Sequence, residues 1–264
     1  MDVRLDGKVV LVTGSTQGVG AKIAALAVSS GAAGVMLTGR DGSKGLALAK
    51  SLATAVCRVE FVAADLAESG SAGLVAAATV AQFGRIDALV NSAGLTDRAS
   101  VVDGTPEMWD RLFTVNAKAP FFFMQAAVRD MLRRKAPGVI VNILSMNAYC
   151  GSPELAIYSA TKGALSTLTR NVANAHLPDR IRVNGIMMGW AATPGENQMQ
   201  GIILGKGGDW EAQAAAGMPL GRMLTDDEVA QLAVFMLSDS SGLMTGTLVD
   251  LEQTVVGAPP RRAK

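Results

Sequence analysis

The sequence predicts an α/β fold: a doubly wound, mostly parallel sheet of seven strands with helices on both faces. Three observations predict it. Short β-branched runs alternate with longer segments of helical spacing. A glycine-rich turn joins the first run to the first helical segment. The chain has 264 residues, 49% of them hydrophobic, which suits one large core better than two. Residues 1–264 are therefore read as a single domain.

The elements follow in order. Val9–Thr13 is the first strand, and a helix runs from about Val19 to Ser29. Val35–Thr38, Val59–Ala63, Ile86–Asn91, Val139–Leu144 and Ile181–Met187 are further buried strands, and Thr247–Leu251 is a late seventh. Parallel strands need crossovers, and the helical segments between the runs supply them. Two of these helices are long, Met108–Arg134 and Tyr158–Ala175. From Met188 to Gly221 the rhythm breaks into Gly, Met, Gln and Pro. A long insertion after a strand's carboxyl end is where such sheets place ligands, so this stretch is read as a substrate lid of one or two short helices.

Charge and residue counts exclude several classes. A net charge of +1 offers no nucleic-acid groove. The one basic cluster, Arg261, Arg262 and Lys264 after Pro259-Pro260, reads as a solvated terminus. Cys57 and Cys150 have no metal-ligand spacing and read as free thiols of a reducing compartment. His176 is the only histidine, so no histidine-rich metal site is expected, and Ser-His-Asp chemistry would have to use that residue. The charged start (Asp2, Arg4, Asp6, Lys8) and the broken apolar stretch from Ile23 to Leu37 predict no signal peptide and no membrane span. A cytoplasmic location is expected.

The first turn is Gly14-Ser15-Thr16-Gln17-Gly18-Val19-Gly20. Glycines there let the backbone approach a ligand, and the helix start offers unpaired N–H groups to a pyrophosphate. After the second strand come Gly39-Arg40-Asp41. A carboxylate at the first position would favour an unphosphorylated ribose; glycine stands there, and Arg40 could pair with a 2′-phosphate. Arg40 stacking on adenine, or Asp41 reaching the ribose, are the alternatives.

Tyr158 and Lys162 are spaced i, i+4, on one face of a helix. An ammonium one turn away favours the phenolate, so the phenol could exchange a proton with a carbonyl oxygen or an alcohol near neutral pH. Alone, such a pair is an ordinary solvated one. Ser145, thirteen residues earlier at the end of the fifth strand, could hold the substrate oxygen. Asn116 falls inside a long helix, where asparagine is disfavoured; it could kink the helix and hold a water linked to Lys162.

Taken together, T-G-x-x-x-G-x-G near the N-terminus and Asn116, Ser145, Tyr158 and Lys162 in that order resemble the short-chain dehydrogenase/reductase family, over roughly Lys8 to Asp250. The resemblance implies a Rossmann-like fold and a catalytic tetrad of those four residues. It implies that Gly14, Gly18 and Gly20 line a nicotinamide cofactor, with Ser15, Gln17 and Val19 of the same loop, and that Lys162 binds the nicotinamide ribose beside Tyr158. Asp65 and Leu66 would meet the adenine, though Asp65 also reads as a helix N-cap. Asn91-Ser92-Ala93-Gly94 resembles the family's N-N-A-G segment, with Asn91 tying the sheet together and Ala93 and Gly94 near the cofactor. In Met188-Gly189-Trp190-Ala191-Ala192-Thr193, Met188 replaces the usual proline, while Gly189 and Thr193 keep the cofactor positions. Leu144 replaces a frequent serine.

The expected function is an oxidoreductase moving a hydride between NADP(H), with NAD(H) possible, and a carbonyl or secondary alcohol. Ser145, Asn147, Tyr149, Glu154 and Trp190 are the substrate candidates, with Met188 and the region of Met199 closing over them. Asn147 and Glu154 could bind hydroxyls or be plain loop polarity. The polar run Gly195-Glu196-Asn197-Gln198 favours a sugar or polyol, while the lid methionines would equally serve an apolar steroid or terpenoid. A 3-oxoacyl thioester reductase is the alternative, with Arg129, Arg133 and Arg134 as a weak carrier surface; a cofactor-binding sensor without turnover is another. By resemblance the two long helices build a homotetramer, with a dimer as the alternative. Phe121-Phe122-Phe123 belongs to the interface or to the core. Leu251-Glu252-Gln253-Thr254 departs from the family's Asp-Gly-Gly.

Overall fold

In the computed structural model, which describes residues 3–258, each apolar run becomes a parallel strand. They are β1 (Val9–Thr13), β2 (Gly34–Gly39), β3 (Arg58–Ala63), β4 (Ala88–Asn91), β5 (Gly138–Ile143), β6 (Ile181–Met188) and β7 (Leu248–Leu251). Every residue of β1 and β4 is buried, which is why these runs are continuously apolar rather than alternating. The order is β3-β2-β1-β4-β5-β6-β7 and all six pairings are parallel, so the mostly parallel sheet is wholly parallel. β4 begins at Ala88 rather than Ile86 because side chains take the preceding backbone. The Ile86 N–H donates to Asp130 Oδ2 at 2.9 Å. The basic tail Arg261, Arg262 and Lys264 lies outside the described residues.

Helices cover both faces. On one, α1 (Gly18–Ser29), α2 (Gly42–Leu52) and α9 (Asp226–Leu237) bury apolar stripes against the strands. On the other lie α3 (Ser71–Phe83), α5 (Ala119–Arg134) and α6 (Ala156–Ala175). α9 starts with a capping box between Thr225 and Glu228. Among the described residues no helix is long and apolar enough to cross a membrane.

The long helix expected over Met108–Arg134 is interrupted. α4 (Pro106–Phe113) passes into a single π-helical turn, Thr114–Lys118, before α5 begins. Asn116 sits in that turn, fully buried. The triplet Phe121-Phe122-Phe123 divides: Phe123 belongs to the core, while Phe121 and Phe122 are exposed. The lid region holds α7 (Pro194–Asn197), a π-helical turn Gln198–Ile203 and α8 (Trp210–Ala216).

The amino end of β4 is anchored by charge. Arg134 donates from Nε to Asp130 Oδ2 at 2.8 Å, and its Nη2 reaches Ile86 O at 2.7 Å and Asp87 Oδ1 at 3.3 Å. Arg133 pairs with Asp130 at 2.6 Å. Both arginines are engaged at the end of the sheet away from the glycine loop, because Asp130 would be costly to bury alone; Arg129, the third residue of the weak carrier surface read from the sequence, is exposed.

Candidate active site

The strand order reverses between β1 and β4, and a crevice opens at the carboxyl ends of the strands. It is a cavity of about 720 Å³, within the usual range for a ligand site. One side is the glycine loop. Gly14 has φ +62, and a Cβ there would lie 2.6 Å from Ala93 Cα. A Cβ on Gly20 would strike the Gly14 carbonyl, so these positions require glycine by contact as well as conformation. The N-terminus of α1 has no side-chain cap and no acidic residue in its first turn, leaving its amides free for an anion.

Gly14, Gln17, Gly18, Val19 and Gly20 line this cavity, as do Arg40, Asp65, Leu66, Ala93, Gly94, Gly189 and Thr193. Three predicted residues sit behind its wall. Ser15 Oγ donates to Val12 O at 2.9 Å and accepts from Thr38 N at 3.0 Å, so it ties β1 to β2. Asn91 Nδ2 donates to Asn142 Oδ1 at 2.8 Å, across the β4–β5 pair. Asn116 is the third. Asp41 caps α2 by accepting from Lys44 N at 3.0 Å, which engages it locally. Asp65 accepts from Ala67 N at 3.0 Å in the turn before α3, whose N-cap is Gly70, so Asp65 does not cap that helix.

The reactive side chains converge on the far side. Tyr158, Lys162, Ser145, Asn147, Glu154 and Trp190 all line the cavity. Ser145 follows β5 and caps a short 3-10 turn, Met146–Ala148, so its Oγ accepts from Asn147 N at 3.2 Å and from Asn147 Nδ2 at 3.3 Å. With both acceptor positions taken, the Ser145 hydroxyl hydrogen is left to donate into the cavity. Tyr158 and Lys162 belong to the buried stripe of α6, 8% and 5% exposed, which rules out a solvated pair.

The electrostatics differ from the sequence expectation. Burial pushes the Tyr158 phenol above its usual value; the Ser145 hydrogen bond pulls it down, Glu196 raises it and Arg98 lowers it. Lys162 Nζ stands 5.8 Å from the Tyr158 ring centroid and donates instead to Ile143 O at 2.8 Å. Burial lowers the Lys162 ammonium to about 8. The expected lowering of Tyr158 by Lys162 is absent: burial dominates, and the downward pulls come from Ser145 and Arg98.

Asn116 acts like an inserted peptide group. It accepts from Leu95 N at 2.8 Å and donates to Leu95 O at 2.9 Å and to Thr161 Oγ1 at 3.1 Å. It therefore reaches α6 directly, one residue before Lys162. His176, the sole histidine, pairs with Asp179 at 2.8 Å and does not line the cavity.

Sequence reasoning missed Arg98 and Gln200 in the cavity. Arg98 Nη2 pairs with Glu196 Oε1 at 3.2 Å, both largely buried, joining the β4–α4 loop to the lid. The polar lid run was the only signal for Glu196. Nothing local marked Arg98, because its partner lies 98 positions away.

Comparison with known proteins agrees with this geometry. A family profile described as enoyl-(acyl carrier protein) reductase matches residues 14–252. 2-(S)-hydroxypropyl-CoM dehydrogenase 3 of Xanthobacter autotrophicus is 34% identical, over 93% of this chain and 95% of its own length. Galactitol 2-dehydrogenase of Agrobacterium fabrum is 32% identical, over 90% and 93%. The crystal structure of L-sorbose reductase from Gluconobacter frateurii, complexed with NADPH and L-sorbose, superposes with a TM-score of 0.91 at 26% identity, covering 98% of this chain and 100% of that one.

Proposed function

This chain belongs to the short-chain dehydrogenase/reductase family, oxidoreductases that act on CH–OH groups with NAD(P), and on that premise we propose that it moves a hydride between NADP(H) and a carbonyl or secondary alcohol of a sugar or polyol. One observation carries the reading: Tyr158, Ser145 and Lys162 line the same cavity as the uncapped start of α1.

The cofactor, when bound, supplies or accepts the hydride. The chain's residues do the rest. The free amides of α1 would hold the pyrophosphate, and Lys162 and Thr193 would hold the nicotinamide end. Ser145 donates to the substrate oxygen and orients it. Tyr158 gives that oxygen a proton in reduction and takes one in oxidation. A phenol held above its usual value is protonated at neutral pH, which suits reduction. Asn116 and Asn147 act through others: Asn147 aims Ser145, and Asn116 fixes the loop beside Gly94.

The phosphorylated cofactor is supported by the end of β2. A side chain on Gly39 would meet Thr16 Cγ2 at 2.7 Å, so a ribose-binding carboxylate there would have to displace the Thr16 side chain. Arg40 and Lys44 flank a cleft with Thr16, Gln17 and Asp41; Asp41 is engaged as the α2 cap, and Lys44 Nζ donates to Gln17 Oε1 at 2.8 Å. Two cations at that point fit a 2′-phosphate. The sugar or polyol class draws on the named relatives and on the polar residues of the cavity. Exposed Trp109, Phe121 and Phe122 on α4 and α5 support a homotetramer, and the free thiols of Cys57 and Cys150 fit the cytoplasm.

The test is turnover of NADPH with a ketose. Wild type should reduce it, and Tyr158→Phe should lose about 10²–10⁴-fold in kcat. Tyr158→Phe turning over like wild type would remove Tyr158 from the chemistry.

A further inference from the structure

The π-helical turn Gln198–Ile203 in the lid is folded inside out. Its one buried residue is Gln200, 3% exposed, while Ile202 and Ile203 are 77% and 61% exposed. Apolar burial alone would choose the reverse arrangement. A buried glutamine must therefore be placed for a partner.

Half of that partner is visible. Gln200 Nε2 donates to Glu196 Oε1 at 2.6 Å. The same oxygen takes Trp190 Nε1 at 2.9 Å and Arg98 Nη2 at 3.2 Å. A carboxylate only accepts, so the amide cannot be flipped: its nitrogen faces Glu196 and its carbonyl faces away. That carbonyl, Gln200 Oε1, is buried with no hydrogen-bond partner among the described residues. Gln200 lines the same cavity as Tyr158 and Ser145.

We propose that Gln200 Oε1 is a specificity-determining acceptor that reads a substrate hydroxyl, held in place by the Arg98–Glu196 pair. The ligand it takes carries an O–H besides the reacting oxygen. An apolar ketone would leave the carbonyl buried and unpaired, and sites built for a hydroxyl reject analogues lacking one. The inference rests on the cavity being the site of hydride transfer.

The experiment compares a ketopentose with 2-pentanone, each with NADPH, in wild type and Gln200→Met, which keeps the length and loses the acceptor. The ratio of kcat/KM for the two ketones should fall by about tenfold or more in the variant. An unchanged ratio, or a wild type that prefers 2-pentanone, overturns the proposal and leaves hydride transfer standing. A wild type that binds NADPH but reduces neither ketone overturns the underlying reading as well. Should Gln200→Met fail to bind NADPH, a crystal structure of wild type with NADP and the ketopentose decides. A sugar hydroxyl within about 3.2 Å of Gln200 Oε1 supports the proposal, and water alone at that point overturns it.

Discussion

Lys162 donates from Nζ to the carbonyl oxygen of Ile143, 2.8 Å away, so its charge is anchored at the end of β5 rather than on Tyr158. Burial lowers that ammonium from 10.5 to about 8. The unfolded chain binds this proton more tightly. Stability therefore rises as pH climbs from about 8 to 10.5, and the full cost is carried below 8. The shift is worth roughly 3 kcal/mol, offset in part by the Ile143 bond. Lys162→Met should abolish turnover yet raise the melting temperature at pH 7 by a few degrees, with the gain shrinking toward pH 10. Thermal unfolding at both pH values checks it; a loss of equal size at both would contradict the account.

In the proposed mechanism carbonyl reduction needs Tyr158 protonated, and burial holds its phenol above the usual value. The pH profile of kcat/KM for reduction should be flat through neutrality and fall only in the alkaline range, while alcohol oxidation climbs. A reduction profile that already falls between about pH 6 and 8 would assign the proton to another group.

Arg40 lies beside Lys44 in the cleft at the end of β2. Arg40→Ala should weaken NADPH binding by about 10–100-fold, the worth of a charge-assisted hydrogen bond, and NADH binding far less. Fluorescence titration measures both. Equal loss for the two cofactors would mean that Arg40 stacks on the adenine.

Asn116 satisfies both backbone groups of Leu95 and also Thr161. Asn116→Ala should cost about 2–4 kcal/mol, since it strands buried polar groups. Asn116→Asp can still accept but cannot donate, so it should not restore stability. Denaturant unfolding of the two variants separates lost bonds from lost volume.

Phe121 and Phe122 are exposed on α5, while Phe123 is core. Light scattering should give a tetramer for wild type and a smaller species for the Phe121→Ser, Phe122→Ser double variant, with the sheet's circular dichroism retained. A wild-type monomer would end this reading.

The strands were legible because β1, β4 and β5 are buried on both faces, and such strands are written as unbroken apolar runs. Tyr158 and Lys162 were legible because a helix brings i and i+4 together whatever else surrounds it. The interruption at Thr114–Lys118 was half legible: Asn116 marked the place, but its hydrogen bonds to Leu95 and Thr161 are tertiary. Gln200 was illegible. Its burial reverses the local preference for Ile202 and Ile203, and only the packed lid shows why. The ion pairs of Arg133 and Arg134 were illegible for a similar reason, since a charge's partner is chosen in space, here Asp130 and Asp87.

That last network separates two duties. Arg134, Asp130 and Asp87 hold one end of the central strands, and the cavity occupies the other. The charged groups that keep the scaffold intact are thus not the ones that face a ligand. Drift or laboratory evolution can recarve the lid and its polar contacts while thermal robustness is inherited unchanged. Mutations near Asp130 should instead reduce the yield of folded protein without changing which substrate is preferred.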